Sequence, residues 1–241
     1  MGNPVVHFEI ISNEKDALEN FYRELFGWHV ESAPEMNYGM IDTHAGGING
    51  GIGIAPDGTQ MTTIYVEVPD LQKTLDKAEK LGGKTAMPIM EMGPVTMAQF
   101  IDPQGNRIGL VKSDDTLPAP SGSSGGSNPV SWFEILGSNG DALRDFYSKL
   151  FGWKIETSSD SPVDYGQVDA KEAGIGGGIG APMGQPGVTF YAEVDDLQKY
   201  LDRAESLGGK TILPPTEMEH VAFAQFADPA GITFGLWKSA H

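Results

Sequence analysis

The opening strand-like run of this chain, VVHFEIIS at residues 5–12, returns in its second half as VSWFEILG at 130–137. The correspondence continues along both halves. NEKDALENFYRELFGW answers NGDALRDFYSKLFGW, TIYVEVPDLQKTLDKAEKLGGKT answers TFYAEVDDLQKYLDRAESLGGKT, and AQFIDPQGNRIGLVK answers AQFADPAGITFGLWK. A repeat of this length limits the chain to architectures made of the same unit twice, before any local assignment is attempted. Between the copies lies SDDTLPAPSGSSGGSN, a stretch rich in Ser, Gly and Pro with almost nothing to bury. It reads as a flexible linker. The expected organisation is one domain over 1–113, a linker over 114–128 and a second domain over 129–241.

Within each copy the hydrophobic period switches in a fixed order. Residues 4–11 alternate as a strand, and Ala17, Leu18, Phe21, Tyr22 and Leu25 then fall at helical spacing until Gly27. Short strands are expected near 28–32, 38–42 and 48–54. The order then restarts with a strand at 62–68 and a helix at 70–81 that carries Leu71, Leu75, Ala78 and Leu81 on one face and stops at a Gly pair. Strands near 85–90, 95–101 and 107–112 complete the copy. Each copy is thus two βαβββ modules, an α+β fold.

Composition narrows the chemistry. The chain has 241 residues, 39% of them hydrophobic, which is enough for two ordinary cores. It has no cysteine, so disulfides, thiolate metal sites and thiol nucleophiles are excluded. A formal charge of −17 repels nucleic acid and anionic lipid surfaces and favours cationic small molecules. No apolar run approaches the roughly 20 residues of a membrane span. MGNPVVHFE lacks the basic and apolar parts of a signal peptide, and the expectation is a cytoplasmic protein.

The first strand, the A..FY..LFGW helix, the VEVPDL strand-to-helix turn and the terminal DPQGN turn with its strand resemble the vicinal oxygen chelate superfamily, which includes glyoxalase I, extradiol dioxygenases and bleomycin-resistance proteins. The resemblance covers both copies and implies two glyoxalase-like domains in tandem, each with curved mixed sheets around a cleft. It leaves the activity open, because one fold hosts many chemistries. In metal-dependent members, His or Gln on the first strand, Glu on the fourth, His on the fifth and Glu on the eighth hold the ion. Carried over, these positions fall on His7, the run around Gly51 to Gly53, Thr63 and Gly109 in the first copy. In the second they fall on Trp132, the run around Gly177 to Gly178, Thr189 and Gly235. One imidazole is too few ligands for a transition metal, so neither a metal nor another cofactor is expected.

Alternation on the strands lists what shares a face with His7. In the first copy the set is His7, Glu9, Thr63, Tyr65, Glu67 and Gln99. In the second it is Trp132, Glu134, Thr189, Tyr191, Glu193, Gln225 and Trp237. Aromatic faces and carboxylates together suit flat or cationic ligands. A carboxylate in an apolar cleft also drifts toward the pKa of a general base, making His7, Glu9 and Glu134 the catalytic candidates. The competing expectation is structural, with Glu9 and Glu134 hydrogen-bonded to Tyr65 and Tyr191.

The glycine runs GGINGGIGIAP and AGIGGGIGAP are no phosphate loops, since no Lys-Ser or Lys-Thr follows. They are expected to empty the cleft for an organic ligand. His29, His44, His220 and His241 lie where the repeat gives them no role. The leading expectation is a metal-independent binder of an aromatic or cationic metabolite or antibiotic. The alternative is an enzyme, a lyase, isomerase, hydrolase or dioxygenase, using a cleft carboxylate or a noncanonical metal site at His7. The partner is a small organic molecule, and the protein a monomer of paired domains or a homodimer.

Overall fold

The computed structural model describes residues 2–43, 46–55, 57–93, 95–112, 128–157, 163–182, 185–218 and 221–239. His44, His220, His241 and all of the expected linker except Asn128 lie outside these residues. The first copy runs β1 (Val5–Ile11), α1 (Lys15–Phe26), β2 (His29–Ala33), a short 3-10 turn (Pro34–Met36), β3 (Tyr38–Asp42), β4 (Asn49–Gly53), β5 (Met61–Val68), α2 (Leu71–Lys80), β6 (Lys84–Met92), β7 (Val95–Ile101) and β8 (Arg107–Lys112). The second runs β9 (Val130–Leu136), α3 (Gly140–Phe151), β10 (Ile155–Thr157), β11 (Tyr165–Val168), α4 (Ala170–Ala173), β12 (Gly176–Gly180), β13 (Gly187–Glu193), α5 (Leu197–Ser206), β14 (Lys210–Glu217), β15 (Val221–Ala227) and β16 (Thr233–Ser239). The βαβββ order appears four times. Only the 3-10 turn and α4 were unannounced by the periodicity.

Local chemistry sets the helix limits. Asp70, Asn139 and Asp196 each accept a hydrogen bond from the backbone N–H three residues on, capping α2, α3 and α5. Gly27 and Gly152, at φ 74° and 75°, end α1 and α3 in the left-handed conformation that a side chain disfavours.

Each copy contributes one eight-stranded mixed sheet, in the orders β2-β3-β4-β1-β5-β8-β7-β6 and β10-β11-β12-β9-β13-β16-β15-β14. The compact units of the chain are drawn differently. One holds β5–β8 with α2 and β9–β12 with α3 and α4, together with the segment ending at His7; the other holds β1 from Phe8 onward with α1 and β2–β4, and β13–β16 with α5. Each unit therefore takes one module from each copy.

Aromatic residues explain that exchange. In one unit Tyr22 and Phe26 of α1 pack against Phe234 of β16, and Phe8 packs against Phe190 of β13. In the other, Phe146 and Phe151 of α3 pack against Phe100 of β7. Buried tyrosine and tryptophan need partners for their polar tips. The Tyr22 hydroxyl donates to Asp228 at 3.0 Å and the Tyr147 hydroxyl to Asp102 at 2.9 Å. The Trp28 and Trp153 indoles donate to the carbonyls of Asn128 and Asn3 at 3.0 and 2.8 Å. The FY and GW of one copy's helix motif are thus satisfied by the DP turn and the strand approach of the other.

Candidate functional site

The sheet face away from the helices is built on a recurring pair. Gly109 on β8 registers opposite Tyr65 on β5, and a Cβ at Gly109 would collide with the Tyr65 ring. Gly235 on β16 stands in the same relation to Tyr191 on β13. On the outer strands, Gly51 lies under the Tyr38 phenol and Gly178 under that of Tyr165. The fourth- and eighth-strand positions where metal-dependent relatives place glutamates are therefore glycines crossed by a neighbouring tyrosine. This corrects the expectation that the glycine runs leave open space for a ligand. Gly50 and Gly177 do the same on the opposite face, admitting the rings of Phe8 and Phe133. Strand glycine here marks close approach of side chains from both sides.

In the unit containing β5–β8, a hydrogen-bonded line crosses the face. Arg107 Nη1 donates to Gln99 Oε1 at 3.1 Å, and Gln99 Nε2 donates to the Tyr65 hydroxyl at 2.8 Å. The guanidinium thereby fixes which end of the Gln99 amide meets the phenol. His7 lies beside Tyr65, ring centroids 5.9 Å apart and edge-on at 70°. It is buried, 7% exposed, and burial lowers its pKa to about 4, so the imidazole is neutral at physiological pH. Thr63 is fully buried and its hydroxyl donates to the Arg107 carbonyl at 2.8 Å, so it serves the sheet. Glu67, further along β5, is half-buried.

The same unit holds the first module of the second copy. The Tyr165 hydroxyl donates to Glu134 Oε1 at 2.8 Å, and the Trp132 indole donates to the Tyr165 oxygen at 3.3 Å. All three side chains are half-buried. Nearby, an open depression is lined by Asp141, Arg144, Thr157, Val163, Asp164 and Tyr165, with the Arg144 guanidinium paired to both aspartates.

In the other unit Gln225 Nε2 donates to the Tyr191 hydroxyl at 2.7 Å, and Trp237 donates to the Ser131 hydroxyl at 3.1 Å. Thr189 is buried and Glu193 half-buried. Glu9 is buried on β1 of that unit, at 8% exposure. Glu134 thus accepts from Tyr165, a tyrosine the alternation did not name, while the Tyr65 and Tyr191 hydroxyls receive the glutamine amides. Tyr38, Tyr165 and Arg107 were missed by the sequence reading. The shared YG at 38–39 and 165–166 could have marked the tyrosines, and Arg107 follows from counting back across the DPQGN hairpin, where Gln99 pairs with Gly109 and Ile101 with Arg107.

A family model for the glyoxalase/bleomycin resistance protein/dioxygenase superfamily matches residues 5–110 and again 130–236. The chain belongs to this superfamily. Among its members, "Putative glyoxylase CFP32" of Mycobacterium tuberculosis is 29% identical over 251 residues, covering 96% of this chain and 93% of the relative. The anthracycline biosynthesis protein DnrV of Streptomyces peucetius is 30% identical over 125 residues, 44% of this chain and 46% of the relative. The Mn(II)-bound glyoxalase from Novosphingobium aromaticivorans superposes with a TM-score of 0.72 at 16% identity, over 98% of this chain and 82% of that one. Homoprotocatechuate 2,3-dioxygenase from Brevibacterium fuscum gives 0.72 at 13% identity, over 100% and 82%. These structures share the fold.

The superfamily's metal does not fit the residues present. Glycine stands at the fourth- and eighth-strand positions of both copies, Thr63 and Thr189 at the fifth, and Trp132 takes the place of His7 in the second copy. Among the described residues, no group of three or more His, Asp or Glu side chains is placed to hold a metal ion. Nor is any helix among them long and apolar enough to cross a membrane.

Proposed function

We propose that this superfamily member binds a small organic molecule on its sheet faces without the superfamily's four-ligand metal centre. The observation that carries the reading is the replacement of each glutamate position by a glycine covered by tyrosine. Phenol rings take the place of ion-binding carboxylates there, with Tyr38 and Tyr165 half-buried and Tyr65 and Tyr191 covered. The half-buried Trp132, Tyr165 and Trp237 supply stacking area, and Gln99, Gln225 and Glu134 supply orienting polar groups. Similarity to an anthracycline biosynthesis protein agrees with a flat aromatic ligand.

The test is elemental analysis of the purified chain after exposure to zinc, iron, nickel and manganese, alongside a thermal-shift survey of aromatic compounds. Saturable stabilisation by an organic compound, with no stoichiometric metal, is expected. About one metal per chain, lost in His7→Ala, overturns the reading.

Similarity over the whole chain to a protein named as a glyoxylase favours a second reading, metal-free catalysis. Glu134 is its base, half-exposed and oriented by the Tyr165 hydroxyl at 2.8 Å. Product formation that falls at least a hundredfold in Glu134→Gln would favour catalysis over sequestration.

A further inference from the structure

Arg107 carries its charge on the sheet face. Acidic residues outnumber basic ones 33 to 16, and Arg144 takes both Asp141 and Asp164. Arg23 of α1 bonds the Asn20 amide oxygen and the Val30 carbonyl. Arg107 is half-buried on the same face as Gly109 and Tyr65, yet its guanidinium donates to the neutral amide of Gln99, and no carboxylate among the described residues is paired with it. A guanidinium has five N–H donors in a planar fork suited to a two-oxygen anion, and one Gln amide oxygen occupies few of them. Holding such a group partly out of water without a counter-charge is costly unless an anion arrives.

We propose that Arg107 anchors the carboxylate of a flat aromatic ligand bound over this sheet face, on which Tyr65 and His7 are themselves covered. This rests on the reading that the sheet face binds an organic molecule, and it refines the chemistry of that molecule. Gln99 is a positioning residue, held by Arg107 and directing its amide N–H to the Tyr65 oxygen. The second copy lacks the anchor. Thr233 occupies the register position of Arg107, opposite Ala227 as Arg107 is opposite Ile101, and Trp132 replaces His7. One anion site per chain follows, contrary to the cationic preference that net charge alone implies.

The test titrates the full chain with 2-naphthoate, its neutral analogue 2-naphthamide and the cation 2-naphthamidinium, followed by ligand-observed NMR and fluorescence. One 2-naphthoate per chain is expected, bound at least tenfold tighter than the amide. Arg107→Thr, the residue the second copy already carries, should abolish that preference while retaining amide binding and an unchanged melting temperature. Arg107→Lys should restore part of it, and if Arg107→Thr proves unstable the lysine variant alone decides through its intermediate preference. Equal binding of the three probes, or a naphthoate preference that persists in Arg107→Thr and is unchanged in Arg107→Lys, overturns the carboxylate anchor and leaves the aromatic binding face standing. Failure of all three probes to bind overturns both.

Discussion

The face carrying Tyr65 and the face carrying Tyr191 are the same design finished in two ways. In both, a tyrosine lies across a glycine and receives a glutamine N–H, at 2.8 Å from Gln99 and 2.7 Å from Gln225. Around this shared frame the first has His7 and Arg107, and the second has Thr233 and Trp237. The frame is fixed by packing, since any side chain at the glycine displaces the ring. The surrounding residues meet no such demand and differ between the copies.

The largest test of this division concerns His7, whose place in the second copy Trp132 takes. Its pKa is lowered from 6.5 to about 4 by burial, so the unfolded chain takes up the proton first as pH falls. The native state therefore loses about 3 kcal/mol between pH 6.5 and 4, and the loss is absent above 6.5. Urea unfolding at pH 7 and pH 4.5 should show this slope in the wild type, reduced by that amount in His7→Gln.

Next in size, Gly109→Ala and Gly235→Ala should each cost about 2 kcal/mol through overpacking against the tyrosine ring. The two losses should agree closely. A cost at only one of them, measured by denaturant titration, breaks the claim of a common frame. Gly109→Ala should cost less in a Tyr65→Ala background than in the wild type, a coupling read from the double-mutant cycle.

Smaller effects belong to the helix side. Tyr22→Phe and Tyr147→Phe should each cost about 1 kcal/mol, because Asp228 and Asp102 keep their backbone donors when the phenol is removed. The smallest stability change is expected for Arg107→Thr, below about 0.5 kcal/mol in urea unfolding, since the half-exposed guanidinium holds only an amide.

The elements were legible because period-two and helical patterns survive in both copies. The strand at 107–112 and the helix end at Gly27 needed nothing beyond local chemistry. The faces were legible too, since alternation put His7, Tyr65 and Gln99 together. What covers a glycine was not. Tyr38 and Gly51 belong to different strands whose register depends on a loop, and no local signal says that the phenol crosses over. The exchange of modules was equally hidden, because Tyr22 finds Asp228 across most of the chain. Sequence reading missed the Glu134–Tyr165 pair for the same reason: it had faces without registers.

The crosswise pairing of modules has a consequence for how such a gene can be shortened. In a beads-on-a-string protein, a stop codon after the first domain releases an intact bead. Here each hydrophobic core is shared by both copies, with Phe8, Tyr22 and Trp28 of the first meeting Phe190 and Phe234 of the second. A stop between the copies would halve both cores at once. Such a fragment would recover its buried surface only by meeting a second fragment of the same kind, which describes a homodimer in which the tandem chain is one gene doing the work of two subunits.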